Sequence, residues 1–419
     1  MEKIQRLTVL LLSLCCLLPV FGGCRTEAPG ENTVTDSLSE RVESDAGSPA
    51  VTENDGTEAP ETVVETEPAV PDTKLTDVTV VSGDMKIGDS YTSKAQNTLA
   101  ILGDYKQGQF SVTIRPGTNG KVGLIFGYRK TGEGESYYRF TTGKSAEKVS
   151  LEYVENGDIR RLYENYLSVG HNVGASYRYR IILSGDAAYC YLGDLMYTFI
   201  RGPFAGAGIG LYASASGTVF SDAAINEGIT APIRKDTLII GHSYLEGWTT
   251  WSKSLAGTVK TYHLGDTVNL GISGSWASHW YEMRDCLALY RPKTVIFMIG
   301  INDLLWGGVK ERMVVQIRDT LQAIRDQNPE MEAVLFTINH CPLSDGSGRR
   351  SSIAAANRLL RDICDKNRWI HCADIEYGFC DADNVPMAHW FSDGLHPTRN
   401  GYTLVIVPAL RKALEARGQ

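Results

Sequence analysis

Four short segments carry side chains able to move a proton or hold an anion. Gly241-His242-Ser243-Tyr244-Leu245-Glu246-Gly247 sets a serine just after an apolar run. A serine at a strand-to-helix turn is exposed, with its hydroxyl at the positive helix end. The glycine beside it lets the chain turn without a Cβ clash. Asn269-Leu270-Gly271-Ile272-Ser273-Gly274 follows a second such run, and its glycines allow a backbone N–H to approach a substrate. Gly300-Ile301-Asn302-Asp303 follows a third, and its amide can donate to an oxyanion. Ser392-Asp393-Gly394-Leu395-His396-Pro397 stands near the C-terminus. There the carboxylate, three residues before the histidine, can orient Nδ1 and leave the other ring nitrogen to take a serine proton. Taken singly, each segment is an ordinary turn, cap or loop. The order of all four carries the signal.

Elements of matching period surround them. Residues 236–240, 267–272, 294–299, 333–338 and 369–374 read as strands, and the third is fully apolar, hence buried on both faces. Residues 309–327, 352–366 and 398–417 read as amphipathic helices; the first has apolar residues at 313, 314, 315, 317, 321 and 324. Repeated βα units predict a parallel sheet covered by helices, with ligands beyond the carboxyl ends of the strands. All four segments fall at such ends.

In that order, the four blocks resemble the SGNH/GDSL hydrolase family over residues 231–419. The resemblance implies an α/β fold: a flavodoxin-like, five-stranded parallel sheet with helices on both faces. It implies Ser243 as nucleophile, His396 as general base and Asp393 as its orienting acid. It also implies an oxyanion hole from the Ser243 and Gly274 N–H groups and the Asn302 side chain, with Gly271 as the alternative to Gly274. The family's first block usually reads Gly-Asp-Ser, whereas His242 stands here in place of the acid. That leaves the triad intact and puts the loop geometry in question. A rival reading makes His242 a second base. Asp303 is expected to support its loop, and His340, His371 and His389 to be structural. The reaction needs neither cofactor nor metal, and no zinc spacing is present.

All seven Trp fall in this region, with Trp276 and Trp306 as candidates to line the site. They would stack on sugars or wall an acyl pocket; ordinary packing is the alternative.

Residues 76–230 read differently. Fourteen of the twenty Tyr and no Trp lie between 76 and 228. Short alternating runs such as 109–114, 121–128, 177–183, 187–192 and 208–213 are separated by Gly and Asp turns, which predicts an all-β sandwich ahead of the α/β domain. The run from Tyr177 to Phe220 resembles laminin-G or concanavalin-like jelly rolls. Its tyrosines either stack on sugars or pack the sandwich.

The N-terminus reads as an address. Lys3 and Arg6 precede an apolar run, Leu7 to Phe21, that is short for a spanning helix. Phe21-Gly22-Gly23-Cys24 resembles the lipobox of bacterial lipoproteins, which implies a signal over 1–23, lipidation of Cys24 and attachment to a membrane in the cell envelope. Residues 24–75 form an acidic tether. Between 25 and 75 there are thirteen Asp/Glu and three Lys/Arg, without an aromatic, so the segment cannot bury enough surface to offset chain entropy. Its net charge is −10 against −8 for the whole chain, leaving a nearly neutral remainder with no basic stripe for nucleic acid. Cys190, Cys286, Cys341, Cys364, Cys372 and Cys380 are left as buried thiols or disulfides.

The expected function is ester hydrolysis through an acyl-enzyme. A sandwich ahead of such a domain resembles the second carbohydrate-esterase family in architecture, which implies deacylation of a polysaccharide or oligosaccharide. The alternatives are a lipase, lysophospholipase or thioesterase acting on lipid chains, and a glycan-binding protein with a degenerate hydrolase domain.

Overall fold

The computed structural model describes residues 71–417, except 106, 144–147, 167–171, 205, 247–257 and 259. The signal, Cys24 and the tether up to residue 70 lie outside the described residues, as do Trp248 and Trp251.

Among the described residues, two antiparallel sheets of eight and seven strands span Thr73–Asn226. In one, Leu195–Arg201, Ala187–Leu192, Tyr177–Ser184, Gly108–Arg115 and Val219–Asn226 are successive neighbours. In the other, Asp158–Asn165, Lys148–Glu155, Gly134–Gly143, Val122–Thr131, Ala207–Ala213 and Thr98–Tyr105 follow one another. The period of two explains the packing. Phe110, Val112 and Ile114 from one sheet, and Leu124, Phe126, Phe140 and Leu151 from the other, are buried in the same apolar cluster.

This sandwich and the C-terminal domain belong to one compact unit, Thr66–Gln419. Tyr290, fully buried, joins them. Its hydroxyl accepts the Met196 N–H at 2.7 Å and donates to the Asp194 carbonyl. Its ring meets Tyr191 edge-on at 6.4 Å, and Tyr191 in turn accepts the Ile233 N–H at 3.1 Å. These bonds give each buried phenol a partner, as an aromatic with a polar tip requires.

In the C-terminal domain, β1 (Thr237–Gly241), β2 (Thr267–Asn269), β3 (Thr294–Met298), β4 (Glu332–Phe336) and β5 (Ile370–Ala373) form a parallel sheet of order β2-β1-β3-β4-β5. β1 and β3 are buried throughout, as central strands covered on both faces must be. The chain leaves β1 toward one side and returns as β3 on the other. The switch point therefore lies between the carboxyl ends of β1 and β3.

Helices α1 (Ala277–Glu282) and α2 (Arg284–Leu289) precede β3, and α3 (Ile301–Leu305) and α4 (Lys310–Gln327) follow it. Next come α5 (Pro342–Gly346) and α6 (Arg350–Lys366). In α4 the buried stripe includes Met313, Val314, Ile317, Leu321 and Ile324, while Val315 is 43% exposed. The 3.6-residue period turns 315 outward although it is apolar.

The expected last helix is three pieces: α7 (Arg399–Gly401), a π-turn over Tyr402–Ile406, and α8 (Val407–Ala416). Pro408 has no N–H to continue an α-ladder, and its ring would clash with the carbonyl of Leu404; the wider π-turn accommodates both. The six cysteines from Cys190 to Cys380 are free thiols. No described helix is long and apolar enough to cross a membrane.

Candidate active site

β1 ends at Gly241 against β3. A Cβ at Gly241 would come within 2.0 Å of the Met298 carbonyl oxygen, so close strand approach, more than turn conformation, requires glycine there. The next residues start a helical turn, with the Leu245 and Glu246 N–H groups donating to the His242 carbonyl. Ser243 is half-buried on that turn.

At the other end of the chain, Asp393 and His396 sit on a tight surface loop closed by Ser392 N–H donating to the His396 carbonyl at 2.8 Å. His396 Nε2 lies 2.9 Å from Ser243 Oγ, and its Nδ1 lies 2.6 Å from Asp393 Oδ2. Asp393 Oδ1 accepts the N–H groups of His396 at 2.7 Å and Leu395 at 3.0 Å. Burial alone would raise the Asp393 carboxyl, but these donors outweigh it and hold the pKa below the usual range. Ser243 and His396, 153 positions apart, thus join with Asp393 in one hydrogen-bonded chain.

Hydrogen bonds tie the second block to the serine turn and the third block to the second. Gly274 lies at φ +73°, a conformation that favours glycine, on the turn where Ser275 N–H donates to Ile272. Gly271 serves differently. Its N–H is taken by Asn269 Oδ1 at 2.9 Å, and a Cβ there would come within 2.5 Å of the Glu246 nitrogen. Gly271 is therefore a packing glycine beside the serine turn, and its amide is committed. Asn302, 5% exposed, donates one amide proton to the Ser275 carbonyl at 3.0 Å, leaving a second for a ligand. Trp276 is half-buried at the N-cap of α1, and Trp306 ends α3 with 43% exposure. Trp280 is fully buried, with its indole N–H on Ser275 Oγ at 3.2 Å.

Asp303 has a clear task. Both its carboxyl oxygens lie 3.2 Å from the Ala277 N–H, at the start of α1. Burial pushes its pKa up to about 7, against these backbone donors. His242 is 2% exposed, and burial, then the nearby His396, pushes its pKa down to about 3. It is a neutral imidazole whose Nδ1 accepts the Tyr244 N–H at 3.3 Å. His340 is fully buried beside Glu376, and no group of His, Cys, Asp and Glu suited to a metal occurs among the described residues.

Several supports carry no motif signal. Asn269 Nδ2 donates to the Leu245 carbonyl at 2.7 Å, and Ser275 Oγ to the Gly241 carbonyl at 3.0 Å. Tyr244 donates to the Leu395 carbonyl at 2.7 Å, and Tyr402 donates to the Tyr244 carbonyl at 2.7 Å. Asn269, Ser275 and Tyr244 lie inside or beside the quoted blocks, but their bonds are to backbone atoms that only folding brings near.

The C-terminal domain thus pairs a five-stranded parallel sheet with a Ser–His–Asp hydrogen-bonded chain of the geometry that serine hydrolases use. The model of the GDSL-like lipase/acylhydrolase family matches residues 234–404, and this C-terminal region is such a domain. Among curated proteins, platelet-activating factor acetylhydrolase IB subunit alpha1 is 27% identical over 145 residues in Bos taurus and 27% over 143 in Homo sapiens. The match covers 33% of this chain and spans 59% of the length of those relatives. A GDSL-like lipase from Bacteroides thetaiotaomicron is 16% identical, over 43% of this chain and 87% of its own, with a TM-score of 0.37. A carbohydrate esterase of family 3 from Talaromyces cellulolyticus is 18% identical, over 43% and 98%, with a TM-score of 0.35. The carbohydrate binding module CBM66 from Bacillus subtilis is 17% identical, over 36% and 94%, with a TM-score of 0.32.

Proposed function

We propose that this protein is an exported carbohydrate esterase that removes acetyl or other short acyl groups from glycans. The observation that carries the reading is the chain from Ser243 Oγ through His396 to Asp393, at 2.9 and 2.6 Å. In it, His396 Nε2 takes the Ser243 proton as Oγ attacks the ester carbonyl. Asp393 holds the imidazolium by its Nδ1–H. The oxyanion is met by the N–H groups of Ser243 and Gly274 and by the uncommitted amide proton of Asn302. His396 then passes its proton to the leaving alcohol, and water repeats the sequence on the acyl-enzyme.

Two features support the substrate class. The side chains of His396 and Asp393 are 39% and 54% exposed, so a polymer can reach them without entering a deep pocket. The curated relatives are named acetylhydrolases, in keeping with a small acyl group. The lipobox-like segment ending in Cys24 supports export with a lipid anchor, on an acidic tether that holds the folded part off the membrane.

The test compares the full-length chain with its Ser243→Ala variant. Acetate release from acetylated xylan, and hydrolysis of p-nitrophenyl esters of rising chain length, are measured. Serine-dependent release from the polymer and the shortest esters is expected. Preference for long chains would move the substrate to lipids. Equal activity in both proteins on every ester would overturn the triad.

A further inference from the structure

We propose that His242 and Tyr244 act as one positioning unit that holds the His396 loop in register with Ser243, an inference that rests on the triad described above. The loop needs such a device. The Asp393 side chain is 54% exposed and that of His396 39%, so burial alone does not fix them. Beyond its own closure, the loop is held by the Leu343 N–H on the Gly394 carbonyl at 3.1 Å and by the Tyr244 hydroxyl on the Leu395 carbonyl at 2.7 Å. Tyr244 directly follows the nucleophile. One residue thus ties both partners of the proton transfer, the serine through the chain and the histidine through a hydroxyl.

Tyr244 is itself fixed. It is 1% exposed, Tyr402 donates to its carbonyl at 2.7 Å, and Asn339 Nδ2 approaches its oxygen at 3.4 Å. Burial pushes its phenol well up, so the hydroxyl remains a donor. His242 completes the unit from the other side. Its ring meets the Tyr244 ring edge-on at 4.7 Å and 77°, and its Nδ1 takes the Tyr244 N–H at 3.3 Å. A neutral imidazole supplies that acceptor and an apolar contact together. An ionised aspartate at 242 would bring an unpaired charge into a site that is 2% exposed. This gives the departure from Gly-Asp-Ser a physical purpose, and the Nδ1 bond to Tyr244 gives His242 a task other than that of a second base.

The test uses full-length protein carrying Tyr244→Phe, His242→Ala, His242→Asn, or His242→Ala with Tyr244→Phe. Three quantities are read: kcat and KM on p-nitrophenyl acetate, the thermal midpoint, and the NMR resonance of the His396 Nδ1 proton in the free protein. Tyr244→Phe should lower kcat about 10–100-fold with KM within about two-fold, and broaden the resonance. His242→Ala should cost about 3–10-fold, and the double variant no more than Tyr244→Phe alone, since residues acting as a unit are not additive. His242→Asn should recover most of the loss, because its amide oxygen can accept the Tyr244 N–H. Wild-type kcat in Tyr244→Phe would overturn the proposal, as would multiplied losses in the double variant. A lowered thermal midpoint with an unchanged resonance would do so too. If wild-type protein shows no Ser243-dependent hydrolysis, the esterase reading fails, while the His396 resonance still decides the tether.

Discussion

Replacing Asp393 with asparagine tests the proposed mechanism at its most sensitive bond. The carboxylate makes three contacts: Oδ1 accepts the His396 and Leu395 N–H groups, and Oδ2 accepts from His396 Nδ1 at 2.6 Å. An amide oxygen can keep the two backbone contacts. Its NH2 group then faces Nδ1, and only the tautomer protonated at Nε2 accepts from it. That tautomer points a proton at Ser243 Oγ and cannot act as base. The loss of orientation and of charge beside the imidazolium should lower kcat/KM by about 10³-fold, roughly 4 kcal/mol. The value sits below the fullest effect of such a change because Asp393 is 54% exposed and water shares its work. The assay is p-nitrophenyl acetate hydrolysis with the thermal midpoint as control. Asp393→Ala sharpens it. Alanine removes the carboxylate but imposes no tautomer, so asparagine, the closer isostere, should be no better than alanine. Activity within tenfold of wild type in Asp393→Asn would refute the orienting role.

Asp303 carries a pH signature: its pKa, raised to about 7, means the folded chain binds more protons than the unfolded one between about 3.9 and 7. Stability from this group is therefore lost as pH rises through that window. Asp303→Asn should gain in thermal midpoint relative to wild type between about pH 5 and pH 8; a constant difference would refute it. Tyr290→Phe strands the buried Met196 N–H, now bonded at 2.7 Å, and should cost about 1–3 kcal/mol by denaturant titration. An unchanged midpoint would show the junction to be dispensable. Gly271→Ala drives a Cβ to 2.5 Å from the Glu246 nitrogen, whereas Gly274→Ala meets nothing within 4 Å and only strains a φ of +73°. The first should lower stability by about 1–3 kcal/mol and the second by about 1. The reverse order would contradict the packing.

The fold was legible where pattern is local. The run 294–299 lacks any polar alternation beyond its first residue and becomes a fully buried central strand. The alternation of 109–114 becomes Gly108–Arg115 in a sandwich sheet. Legibility ended where tertiary contact decides. Pro408 and the packing of Tyr402 on Tyr244 turn one expected helix into three pieces. Val315 counts as apolar in the pattern yet faces solvent. At the site, Ser243, Asp393 and His396 were readable because their types in order specify a chemistry. Asn269, Ser275 and Tyr244 were not, because each bonds a main-chain atom, and main-chain atoms leave no mark on composition.

Those silent contacts share a logic. Asn269 reaches the Leu245 carbonyl, Ser275 the Gly241 carbonyl, Asn302 the Ser275 carbonyl, and Tyr244 the Leu395 carbonyl. Each bond joins two different blocks, and together they link the serine turn, the Gly274 turn, the Asn302 helix and the His396 loop into one network. A side chain that grips backbone fixes where a loop lies without depending on what its other side chains are. Exposed side chains on these elements, such as Trp306 at the end of α3, can then vary while the spacing between Ser243 and His396 holds. His242 illustrates the same independence. The usual acid is gone, yet the triad distances stand at 2.9 and 2.6 Å, because what the position supplies to Tyr244 is an acceptor and a packed face.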